Sequence, residues 1–290
     1  MPTERILFAA PGVQLGTYRC LPGDRAWREE NTVGDGFYIA IPGPPVLIDQ
    51  ARARPVVANA NHAIFYNDHE VYRRGLLSDR GDDTVYLRAE PGLLRQVAGT
   101  VDPGLGDEPE FRFPFVDGPL DATTHLRHRM LVDHLATGPV PDGLYAEEAL
   151  LGLLGEVVAS SVRAHRRSRV TSRSTTTDAA HGELVEATKT ILSRRFSEPI
   201  ALGDIAAEVH SSPFHLARIF RMRTGSSLHA YRTQLRLRAS LERLADRRRD
   251  LAGLALDLGF ASHSHFTDAF RGAFAMSPSD YRRATLSIGR

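Results

Sequence analysis

The sequence predicts an α+β chain in two parts. A β-rich front is followed by helices, and the back is an all-α domain of two helix-turn-helix motifs joined by a long helix. Three observations carry this reading. Short apolar and β-branched runs separated by Gly, Pro and Asp fill residues 12–110, the pattern of a small sandwich or barrel. Apolar residues then recur at helical spacing over 120–165. Finally, the last ninety residues repeat themselves at an offset of fifty: Ser212 matches Ser262, His215 His265, Leu216 Phe266, Phe220 Phe270, Arg221 Arg271, Tyr231 Tyr281 and Arg232 Arg282.

In the front, strands are expected at Phe37 to Ile41, Val46 to Ile48, Pro55 to Ala58, Ala63 to Tyr66 and Thr84 to Leu87. Leu126, Met130, Leu131 and Leu135, then Leu150 to Val158, mark two helices joined by the turn-rich Gly138 to Gly143. Their apolar stripes can serve the core or a partner helix. Residues 166–180, rich in Ser, Thr and Arg and without periodicity, read as an interdomain linker. The expected division is 1–165, linker 166–180, and 181–290, in keeping with about 150 residues per domain.

The back opens with a helix from about Gly182 to Phe196. In the first repeat, Leu202 to Val209 forms a short helix and His210-Ser211 a turn. Ser212 is then the N-cap, with Pro213 at the first helical position. Leu216, Ile219 and Phe220 share one face, leaving Phe214, His215, Ala217, Arg218 and Arg221 on the other. In the second repeat, Leu251 to Leu258 is followed by the turn residue Gly259 and the cap Ser262. Phe266, Ala269 and Phe270 face inward there, and His263, Ser264, His265, Thr267, Asp268 and Arg271 outward. Between the copies, one helix from Leu228 to about Arg247 spans about 30 Å, close to the ~34 Å between successive major grooves on one face of B-DNA.

Charge separates the halves. Residues 1–160 carry 14 Arg against 23 Asp and Glu, a net −9; residues 181–290 carry 17 Lys and Arg against 11 acids, a net +6. A polyanion partner is therefore expected for the back alone. The single cysteine, Cys20, excludes an intrachain disulfide and a cysteine zinc cluster, and fits the cytoplasm. No stretch approaches the roughly 20 apolar residues of a membrane helix, so no membrane partner is expected.

The run Ile205 to Val209, then His215 to Arg221 and Thr224-Gly225, resembles the first half of the AraC/XylS DNA-binding domain. Leu254-Ala255, Leu258-Gly259-Phe260, Ser264 to Arg271 and Ser277-Pro278-Ser279-Asp280-Tyr281-Arg282 resemble its second half and signature. The likeness covers roughly residues 183–284. It implies a sequence-specific transcription regulator, not an enzyme, with double-stranded DNA as partner and RNA polymerase as a second partner if the protein activates. By the same resemblance, base-reading side chains lie early in each second helix: Phe214, Ala217 and Arg218, then His263, Ser264, His265 and Asp268. Arg218 suits a bidentate contact to guanine and Phe214 a thymine methyl. For Arg221, Arg271, Arg232 and Arg282, phosphate contact and structural pairing are equally open.

The resemblance further implies a front domain with a cupin-like β-barrel that binds a small-molecule effector, followed by helices that make a homodimer. The segment before about Leu15 is then an arm over the pocket. The alternative is an effector-independent regulator whose front only dimerises or docks a partner. Pocket candidates are Tyr18, Trp27, Phe37, Tyr38, His62, Phe65, Tyr66 and Tyr72, residues equally suited to a barrel core. A metal-dependent cupin shows His-x-His and Glu on neighbouring strands, whereas the His-x-His of this chain is His263-Ser264-His265. No metal, cofactor or catalytic residue is therefore expected.

Overall fold

A computed structural model describes residues 2–108, 110–137, 142–171, 175–244 and 250–288. The chain divides into two compact units, Met1–Arg167 and Ser168–Arg290.

The first unit contains β1 (Thr3–Ala10), β2 (Val13–Cys20), β3 (Asn31–Thr32), β4 (Phe37–Pro42), β5 (Val46–Gln50), β6 (Val56–Ala58), β7 (His62–Tyr66), β8 (Val71–Leu76), β9 (Asp82–Ala89) and β10 (Asp117–Pro119). Its helices are α1 (Pro91–Val101), the short α2 (Pro103–Gly106), α3 (Ala122–Thr137) and α4 (Gly143–Thr171). One sheet has the order β1-β2-β9-β4-β7-β10, the other β3-β8-β5-β6, and all pairings are antiparallel.

Strand alternation gives the larger sheet two covered faces. Val13, Leu15, Phe37, Ile39, Phe65 and Leu87 join one core with Leu94 of α1, Leu131 of α3 and Leu150, Leu154 and Val158 of α4. The alternate residues Ile64 and Tyr66 pack with Val46, Ile48, Val56 and Ala58 of the smaller sheet. Helices thus cover one face of the larger sheet and the smaller sheet covers the other.

The expected cupin-like barrel is not seen as a closed one: within the described residues the two ladders end at β1 and β10 and at β3 and β6. Alternation fixes which face is buried, and a sandwich and a barrel share that pattern. The segment expected as an arm is a paired strand. Residues 3–10 form the edge strand β1, turned at Pro11-Gly12 into β2, with Ala10 opposite Val13 and Thr3 opposite Arg19. Missed as strands were β1, β2, β3, β8 and β10; Gly, Arg and Gln interrupt the β-branched runs of β1, β2 and β8, and β3 and β10 are only two and three residues long.

The second unit contains α5 (Thr175–Arg194), α6 (Leu202–Glu208), α7 (Pro213–Thr224), α8 (Leu228–Leu244), α9 (Leu251–Asp257), α10 (His263–Phe274) and α11 (Pro278–Ile288). Much of the expected linker is helical: α4 runs on to Thr171 and α5 begins at Thr175, with 172–174 outside the described residues. Ser and Thr weaken a helix without forbidding it. The last residues expected in the connecting helix, 245–247, also lie outside the described residues. The 17 residues of α8 span about 26 Å.

Candidate nucleic-acid interface and ligand cavity

The two motifs are built by the same local chemistry. Ser212 Oγ accepts from the His215 N–H at 3.2 Å, and Ser262 Oγ from the His265 N–H at 3.1 Å. Each cap satisfies a backbone donor that the first helical turn leaves free. The cores also correspond. Leu216, Ile219 and Phe220 are fully buried with Ile205, Leu235 and Tyr231; Phe266, Phe270 and Tyr281 are fully buried too, the two phenylalanine rings 5.7 Å apart edge to face.

The offset is fifty in the second helices but forty-nine in the first, where Ala206 and Ala255 correspond. Their carbonyls accept from Ser211 N and Phe260 N at 2.8 and 2.9 Å. The second copy therefore holds one more residue, Ala261, before its cap. At the turn itself, His210 and Gly259 both have positive φ, 52° and 81°. Gly259 is the tighter position: a Cβ there would lie 2.2 Å from the Ser197 carbonyl oxygen.

On α7, Phe214, Arg218 and Arg221 are exposed; Phe214 is 80% accessible. At i, i+4 and i+7 they form one stripe. The equivalent α10 stripe is Ser264, Asp268 and Arg271, also exposed, with His263 and His265 at its start. Not every expected reader lies on these stripes. His215 is half-buried, its ring 5.7 Å from that of His181 on α5. Ala217 packs against the core. Thr267 is half-buried, its hydroxyl 3.4 Å from His263 Nε2. Among the described residues no ion pair joins Asp268 to Arg271.

The four arginines left open divide cleanly. Arg221 and Arg271 are exposed. Half-buried Arg232 donates to the Ile200 carbonyl at 3.3 Å, and half-buried Arg282 to the Leu244 carbonyl at 3.2 Å. Sequence reasoning did not single out Arg236, which is buried and donates to the Phe196 carbonyl at 2.6 Å. Its guanidinium lies 5.7 Å from the Phe260 ring, tying the central helix to both motifs. Burial, with Arg232 nearby, pushes its pKa down to about 10, so it stays charged at neutral pH.

In the first unit, a cavity of about 150 Å³ lies between the two sheets. Tyr18, Tyr38, Tyr66 and Tyr72 of the expected pocket line it. The other expected residues are elsewhere. Phe37 and Phe65 belong to the core under the helices, stacked edge to face on Phe113. His62 Nδ1 lies 3.0 Å from Asp117 Oδ2. Trp27 packs at the margin and donates to the Leu21 carbonyl.

Sequence reasoning missed Glu4, Arg74, Asp82, Thr84 and Tyr86, which also line the cavity. Arg74 and Asp82 are each 5% exposed and paired at 2.9 Å. Arg74 further contacts the Tyr72 hydroxyl and sits 4.6 Å over the Tyr18 ring. Burial disfavours the Arg74 charge, but Tyr72, Asp82, Tyr18 and Tyr66 more than offset that and raise its pKa. Desolvation raises the Asp82 carboxyl, with Arg74 and Thr84 opposing. Desolvation likewise raises the Tyr18, Tyr38, Tyr66, Tyr72 and Tyr86 hydroxyls, keeping them neutral phenols.

Among known proteins, a family profile described as a helix-turn-helix domain matches residues 205–284. The Right origin-binding protein of Escherichia coli K12 is 36% identical over 93 residues, 32% of this chain and 32% of that protein. Regulatory protein SoxS of Salmonella typhimurium is 29% identical over 103 residues, 36% of this chain and 96% of SoxS. A crystal structure of a transcriptional regulator with an AraC-type DNA-binding domain from Chromobacterium violaceum is 25% identical; it covers 38% of this chain and 99% of that one, at a TM-score of 0.35. The chain spans about a third of the length of the first curated relatives it matches. These likenesses, together with a tandem motif capped and cored alike in both copies, identify residues 205–284 as a helix-turn-helix domain of the AraC/XylS type.

Proposed function

We propose that the protein is a sequence-specific DNA-binding transcription regulator, with α7 and α10 entering successive major grooves. The observation that carries this reading is the repeated exposed stripe, Phe214, Arg218 and Arg221 matched by Ser264, Asp268 and Arg271, on helices with identical serine caps. Base edges meet Phe214, Arg218, Ser264 and Asp268, with His263 and His265 beside them; phosphates meet Arg221 and Arg271. Asp268 accepts from a cytosine amino group, an assignment supported by its freedom from Arg271.

In this reading the two-sheet unit takes the place of the expected cupin-like domain: a small effector binds between its sheets, and α3 and α4 join two copies. The effector shifts DNA affinity by no more than its differential affinity for the two states of the protein. RNA polymerase is a further partner if the protein activates.

The test is a titration of duplex DNA with the full-length chain at several salt concentrations. Affinity should fall steeply with salt, at about 0.9 decade per decade of salt for each phosphate contacted. Salt-independent binding, or none, contradicts the proposal.

A further inference from the structure

The cavity between the sheets carries a donor without an acceptor. Alternation along β8 sends Arg73 outward and Arg74 inward. Arg74 Nη1 donates to Asp82 Oδ2 at 2.9 Å, and Nη2 contacts the Tyr72 hydroxyl. Arg74 Nε, however, is buried with no hydrogen-bond partner. An unpaired buried donor is costly, more so on a charged group, and a ligand supplying an acceptor removes that cost.

The charge already present decides what kind of acceptor it is. Among the lining residues Arg74 is offset by Asp82, and Glu4 adds a second carboxylate. Tyr86 donates to Glu4 and receives from Gln14 Nε2 at 2.9 Å. A buried arginine alone reads as a carboxylate receptor. Here its charge is spent on Asp82, and an anion would add an uncompensated negative charge beside that buried pair. An ammonium ligand fails differently, because it brings no acceptor to Arg74.

Size and lining narrow the choice further. A dry cavity of about 150 Å³ holds a benzene-sized molecule, and this one is about 150 Å³. Part of the wall is aliphatic, with Val46, Ile48, Ala58 and Ile64. Every hydroxyl of a buried polyol needs a partner, and Val46, Ile48, Ala58 and Ile64 offer none on their part of the wall. We propose that the cavity takes an uncharged single-ring compound of the phenol class, its ring against the aliphatic wall and its oxygen accepting from the Arg74 guanidinium. The assignment rests on the reading of this cavity as the effector site.

The experiment is isothermal titration of the full-length chain with phenol, benzoate, benzylamine and myo-inositol at pH 7, followed by DNA titrations with the compound that binds. Phenol should bind at least tenfold more tightly than the other three. Asp82→Asn, which frees the arginine charge, should shift preference toward benzoate at least tenfold; if that variant does not fold, the wild-type panel still decides. Benzoate, benzylamine or inositol binding more tightly than phenol, or phenol failing to bind at millimolar concentration, overturns the ligand class. If another of the four binds and shifts DNA affinity, the effector reading survives that failure. Phenol that binds and leaves DNA affinity unchanged upholds the ligand class and overturns the switch.

Discussion

Arg218 and Arg221 sit one turn apart on the exposed stripe of α7, yet they have different expected tasks. Arg218→Ala should relax preference at one base position, at a cost of about 1–3 kcal/mol on the preferred sequence. Arg221→Ala should weaken all sequences alike and lower the salt slope by about one. Anisotropy titrations on a matched and a scrambled duplex separate the two; unchanged preference in Arg218→Ala would show that this side chain does not read a base. A second residue-scale expectation concerns pH. His128 on α3 is buried, and neither ring nitrogen has a hydrogen-bond partner. Burial, aided by Arg129, pushes its pKa from 6.5 down to about 3. Because the unfolded chain takes up this proton and the folded unit does not, stability is lost as pH falls from about 6.5 toward 3. That loss amounts to roughly 2 kcal/mol between pH 6.5 and 5. Denaturation followed by fluorescence of the sole tryptophan, Trp27, should show the loss in the wild type and not in His128→Leu. An equal loss in both would rule out His128 as its source.

At the scale of elements, the repeat lets one copy instruct the other. Helix α7 ends at Gly225 with φ 72°, while α10 ends at Ala275 with φ 56°. A left-handed residue at this position favours glycine, since Cβ is strained there. Ala275→Gly should therefore stabilise the second unit by roughly 0.5–1 kcal/mol after the entropy of the added glycine is counted. Far-UV circular dichroism during urea unfolding is the readout, and a destabilised variant would contradict the argument. Elements in this half were legible in the sequence because each signal was local. Ser caps, Pro213, Gly259 and i, i+3, i+4 core residues act within one or two turns, and they gave the tandem motif with ends within a few residues. The front strands were less legible. Strand β7 is buried on both faces and reads as a plain apolar run, whereas β1 lies exposed at an edge and has no burial pattern to read.

At the scale of the whole molecule, the acidic front and basic back named in the sequence fall largely in separate compact units. The candidate DNA-reading residues were readable because they are what the helical period leaves outside the core. The cavity was half-legible. Tyr18, Tyr38, Tyr66 and Tyr72 were expected as aromatic residues near strand ends, but Glu4 of β1 is far in sequence from Arg74 of β8 and Asp82 of β9. Only the pairing of β1 with β2 and of β2 with β9, and the packing of the smaller sheet over them, makes them neighbours. No local pattern reports such a pairing.

The central claim is that two stripes on one chain read DNA together. The most direct measurement is selection of bound fragments from genomic DNA with the full-length protein at a stated salt concentration. The expected result is one enriched motif with two half-sites about one helical turn apart, which Arg218→Ala degrades in one half and Asp268→Ala in the other. A single half-site untouched by Asp268→Ala, or no enrichment at all, would contradict it.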